Sequence, residues 1–164
     1  MTKTADQLKT LLQQEIDGLT SAVEKAEDIR QSIFKHNWKR LSKNMEQMEH
    51  LTGYIAALEK ERYHLFSSLR REVGARSNAG FYTVVVHLDG PVQEELSALF
   101  RQMKGLVLQL QGVIWSIDAY TRTLSTTIYD ILQQIFPHRR GTMYSKTGRK
   151  RSNESDPLVV NRQL

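Results

Sequence analysis

The chain has 164 residues, 40% of them hydrophobic and 25% charged, with three prolines and no cysteine. That suffices for one domain with a sizeable core plus an extension, and it excludes a disulfide framework and thiolate metal ligation. The net charge of +5 sits at one end: residues 138–164 hold seven Lys/Arg against Glu154 and Asp156, leaving residues 1–137 neutral with 16 basic and 16 acidic side chains. A basic end on a neutral body points to an acidic partner for that end rather than to a body that reads nucleic acid.

The opening "MTKTADQLKTLLQQEI" is amphipathic from its first residues and lacks an apolar stretch followed by small residues, so it does not read as a signal peptide. No apolar run approaches the roughly 18–20 residues of a membrane span. The expected location is the cytoplasm. Leu8, Leu12, Ile16, Leu19, Val23 and Ala26 recur at steps of three and four, which predicts a first helix over about 5–35. A second stripe, Phe34, Trp38, Leu41, Met45, Met48, Thr52, Ile55, Leu58, Arg62, Leu65 and Leu69, predicts a helix over about 37–73, with Gly74 as its C-terminal stop. Across Ala26, Arg30, Phe34 and Trp38 every step is four. Such a stutter either bends one long helix or breaks it near "FKHNWKRLS", and the spacing leaves both open.

Residues 74–90 form a connector. Its "FYTVVVHL" has strand propensity, yet no second strand exists to pair with it. As a helix it places Phe81, Val84, Val85 and Leu88 on one face, so it reads as a packed apolar connector. "LDGPVQEEL" is the clearest start signal, with Asp89 or Gly90 as N-cap, Pro91 in the first turn, and Glu94 and Glu95 favoured by the dipole. From Val92 the apolar stripe runs through Leu96, Leu99, Met103, Leu106, Leu110, Val113, Ile117, Tyr120, Leu124, Ile128 and Ile131 to Ile135, predicting a third helix over about 91–136.

The fold class is therefore all-α: an elongated antiparallel helical hairpin or a three-helix bundle over residues 1–137, followed by a basic, partly disordered tail over 138–164. At about 1.5 Å per residue the third helix is roughly 65 Å long, against roughly 100 Å for one unbroken first helix or roughly 45 Å for each of two. Either geometry leaves apolar helix surface uncovered, and such surface marks a binding site.

The chemistry of catalysis is not legible. No Gly-rich turn cradles phosphate; the five histidines lack the spacing of paired ligands on one helical face; the acidic residues sit in charge-mixed helix surface. The expectation is no enzyme, no metal, no cofactor and no small-molecule substrate. Trp38 and Trp115, with Met45, Met48 and Met103, read as core positions, although an adaptable methionine face also suits a partner. The tail reads either as a solvated basic segment or as an arm with anchors at Tyr144 and at Leu158, Val159 and Val160 that orders on a partner.

Taken in order, "LKTLLQQEIDGL", "LEKERYHLFSSLRREVG", "HLDGPVQEELSALFRQMKGL", "MYSKTG" and "PLVVNRQL" resemble the FlgN-like flagellar export chaperones over almost the whole chain. The resemblance implies a non-catalytic cytoplasmic protein. It would hold the amphipathic terminal helices of hook-associated junction proteins, prevent premature assembly and deliver them to the cytoplasmic domain of the type III export gate. The cargo contacts expected with it lie on the apolar stripe of the third helix (Leu110, Val113, Ile117, Leu124, Ile128, Ile131, Ile135) and on Leu158, Val159 and Val160, and the resemblance implies gate docking at Tyr144 with Gly148 four residues on. Membrane contact would come only through the export apparatus, and no nucleic acid is expected. The cationic tail departs from the acidic balance common in such chaperones. The competing reading is a helical protein that binds nucleic acid or another acidic surface through that tail.

Overall fold

The structure, a computed structural model, describes residues 3–135. It is all-α: α1 (Lys3–Phe34), α2 (Trp38–Glu72), the short α3 (Phe81–Val85) and α4 (Gly90–Ile135), with no strand among the described residues. The chain divides into two units, Met1–Ile117 and a second that starts at Asp118 and is described as far as Ile135.

In the first unit α1 and α2 form an antiparallel hairpin. Thr4 donates to Glu72, Arg62 to Glu15 at 2.7 Å and Asn44 to Ser32 at 3.3 Å. The paired numbers sum to nearly the same value each time, which is the mark of opposed directions in register. The ion pair Lys9–Glu95, and the surface depressions shared by Ala5 with Val92 and by Gln13 with Leu99, keep a nearly constant offset instead. The start of α4 thus runs parallel to α1. Helix α1 is covered on two sides, and its buried positions come as adjacent pairs (Leu11 and Leu12, Glu15 and Ile16, Gly18 and Leu19, Ala22 and Val23), wider than a single seam. Of the two expected architectures, this unit is the three-helix bundle, with the hairpin as two of its arms. Gly18 permits the close approach: a Cβ there would lie 3.2 Å from the Ile55 side chain.

The stutter resolves as a break. His36 N–H donates to the Ile33 carbonyl at 3.1 Å and Asn37 N–H to the Ser32 carbonyl at 2.9 Å, the paired closing bonds of a Schellman motif, with His36 in the left-handed region at φ 52°. Asn37 then caps α2, its Oδ1 accepting from Arg40 N–H at 3.0 Å. Three residues end one helix and start the next. The far end of α2 closes in the same way, with Gly74 at φ 67° donating to Arg71 and Ala75 donating to Arg70. Left-handed backbone costs a side-chain-bearing residue about 1 kcal/mol that glycine escapes. We therefore expect His36→Gly to stabilise the protein by up to about 1 kcal/mol, seen as a higher urea midpoint at constant m-value.

Polar groups lie inside the hairpin. Near its turn, buried Asn44 bonds Ser32, Ser32 donates to the Asp28 carbonyl at 2.7 Å, and Asp28 pairs with Arg40 at 2.9 Å. Halfway along, Glu15 is almost fully buried against Arg62, whose other neighbour is Glu59 at 3.8 Å. Burial pushes the Glu15 carboxyl above the ordinary glutamate range, and the Arg62 guanidinium brings it only part of the way back. The folded state thus holds the Glu15 proton more tightly than the unfolded chain does. This group's contribution is most favourable below the ordinary glutamate pKa and is lost as pH rises through the elevated folded value. Glu15→Gln should match the parent near pH 4 and gain on it toward pH 7, in denaturation curves taken across that range.

The connector folds as the apolar face predicts, and its strand propensity is overridden. Val84 and Val85 are fully buried, and Phe81 stacks on Phe100 at 4.0 Å between centroids and on Phe66 at 5.7 Å. Phe66 belongs to α2 and Phe100 to α4, so α3 acts as the wedge that ties those helices together.

A candidate protein-docking face on α4

Helix α4 begins where the sequence signals it, with the Asp89 carbonyl accepting from Gln93 N–H at 2.9 Å and Pro91 in the first turn. It has 46 residues, against 32 in α1 and 35 in α2. In the first unit its stripe is spent on the chain's own core. Val92, Leu96 and Met103 are buried, and Leu99, Leu106 and Leu110 pack against that core.

The expected cargo residues are therefore not equivalent. Val113 is only 7% exposed, and Leu110 packs against the core of the first unit. Ile117 is half-buried and engaged in a contact. In the second unit the picture reverses. Leu124, Ile128, Ile131 and Ile135 lie on one helical face and all are exposed, flanked by exposed Tyr129 and Leu132. Between Thr123 and Ile135 the only charged residue is Asp130. The nearest ion pair, Arg122 with Asp118 at 2.9 Å, precedes the apolar run. Such a face can be covered by another helix without stripping water from charges, which is the favourable case for burying apolar area. Leu158, Val159, Val160, Tyr144 and Gly148 lie outside the described residues.

Two further exposed features escaped the sequence reading. Trp115 is 68% exposed and Leu108 67%, on the face of α4 opposite the core stripe, and glycines at 105 and 112 share that side with open space where a Cβ would stand. Trp38 and Met45 are exposed at the hairpin turn, whereas Met103 is buried as expected. The two tryptophans had a warning in their position: Trp115 falls two residues past Val113 and so off the stripe, and Trp38 follows a turn and precedes Lys39 and Arg40.

Among the described residues no three His, Asp or Glu side chains are placed to share a metal ion, and no helix is long and apolar enough to cross a membrane. No family model matches the chain, and comparison with curated proteins and with solved structures finds no match.

Proposed function

We propose that this protein is a non-catalytic export chaperone of the FlgN-like type. In this reading it holds the amphipathic terminal helices of hook-associated junction proteins in the cytoplasm and hands them to the export gate. The observation that carries the reading is the exposed aliphatic face from Leu124 to Ile135, with one charge in its last twelve residues. A cargo helix needs such a surface, laying its apolar side against it and leaving assembly contacts unavailable until release. The order of sequence pieces that resembles the family supports the choice of cargo, and Tyr144 with Gly148 supports gate docking from the tail. Binding is expected to be driven by apolar burial, so it should survive high salt, whereas tail-to-phosphate association would weaken steeply. The test is co-purification of hook-associated proteins with the full chain from native lysate, followed by titration of the purified pair. Recovery of none of them, or binding that collapses with salt, would overturn the reading.

A further inference from the structure

The hairpin turn presents a surface that the chaperone reading leaves unused. Between Ile29 and Met45 the sequence holds Arg30, Lys35, Lys39, Arg40 and Lys43 and no acidic residue. Two of these cations are engaged, Arg30 with Glu27 at 2.6 Å and Arg40 with Asp28 at 2.9 Å. Lys35, Lys39 and Lys43 are exposed and form no ion pair among the described residues. At the same apex Trp38 is 61% exposed, Phe34 nearly half and Met45 more than half. The turn is held rigidly by the Schellman closure at His36 and the Asn37 cap, and the His36 and Trp38 rings meet at 5.8 Å.

From this juxtaposition we infer that the hairpin apex is a docking surface for an anionic phospholipid bilayer. Charge complementarity selects a negative partner, since Lys35, Lys39 and Lys43 form no ion pair among the described residues and the first carboxylate after them is Glu46. Side-chain chemistry selects among negative partners at this apex. Its aromatic and thioether side chains sit among lysines, the arrangement that places indole and phenyl rings at headgroup depth with ammonium groups against lipid phosphate. A nucleic-acid strand would instead be served by a longer charged track with stacking rings spaced along it, whereas Phe34, His36 and Trp38 are clustered in one short stretch at the turn. The contact is peripheral, in keeping with the lack of a spanning helix among the described residues. It departs from the expectation that the protein meets the membrane only through the export apparatus, and it stands independently of cargo binding.

The test uses the full chain carrying Trp115→Phe, so that Trp38 is the sole tryptophan reporter. On titration with vesicles of phosphatidylcholine mixed with phosphatidylserine, Trp38 emission should shift to the blue; pure phosphatidylcholine vesicles should leave it unchanged. Replacing Lys35, Lys39 and Lys43 by glutamine should weaken the partitioning read by that shift, by about fivefold per lysine. The basic tail can itself bring the protein to anionic vesicles, and the local reporter separates the two. Sedimentation with anionic vesicles while Trp38 emission stays fixed would overturn the proposal, as would an unweakened shift in the triple variant. So would a Trp38 response to a single-stranded oligonucleotide that vesicles fail to reproduce.

Discussion

Replacing Leu96 with alanine should lower stability by about 3 kcal/mol, within the range typical of leucine-to-alanine changes in a closed core. Leu96 is fully buried on the second turn of α4 and shares one apolar cluster with Leu8 and Leu12 of α1 and with Val84 and Val85 of α3. Three elements meet there, so the vacated space is lined from several directions. The two valines are stiff at χ1 and cannot swing in to fill it. The hole should persist, which puts the cost above the bare transfer term. A loss of that size is a large share of the roughly 5–15 kcal/mol that holds a typical domain together. The same change at Leu108, on the same helix but 67% exposed, should move stability by no more than about 0.5 kcal/mol. Urea denaturation of the two variants decides it: the midpoint should fall for Leu96→Ala with an unchanged m-value and stay in place for Leu108→Ala. Equal losses would mean that the buried face of α4 has been assigned wrongly.

The helices were legible because their signals are redundant. The six core positions expected on α1 from Leu8 to Ala26 are all buried, and the start at "LDGP" and the stop at Gly74 fall where local chemistry puts them. The stutter was not decidable, because a step of four fits a bend as well as a break. The choice rests on His36 accepting left-handed backbone and on Asn37 serving two helices at once, neither of which periodicity reports. What the sequence hid about the candidate site is which apolar residues the chain keeps for itself. One stripe from Val92 to Ile135 looks uniform, yet its first half closes the core and its last residues are exposed. Periodicity reports which residues share a face and not what packs against that face. The exposed tryptophans were misread for a related reason: size and spacing suggest a core position, and only the packed partners reveal that nothing covers them.

Changing Ile128 and Ile131 together to aspartate should lower affinity for a hook-associated terminal helix at least thirtyfold, the equivalent of one hot-spot residue or about 2 kcal/mol. Both side chains are about half exposed in the free protein, so they contribute little to its own stability and remain available to be covered. On a docked helix each would bury its remaining aliphatic surface, worth about 0.7–1.5 kcal/mol, and an introduced carboxylate would have to be stripped of water. Among the described residues the closest cation in sequence, Arg122, is already engaged by Asp118 at 2.9 Å. Helix content and urea midpoint should be unchanged, since substitutions on an exposed helical face are usually within about 0.5 kcal/mol. That separates loss of docking from loss of fold. Calorimetric titration with a purified hook-associated protein is the measurement, run at low and high salt and repeated on a truncation ending at Pro137. If the double variant binds as the parent does, this face is not the cargo site; if the truncation alone abolishes binding, the contact lies in the tail. Affinity retained in the truncation, lost in the double variant and indifferent to salt would place the cargo on the exposed end of α4.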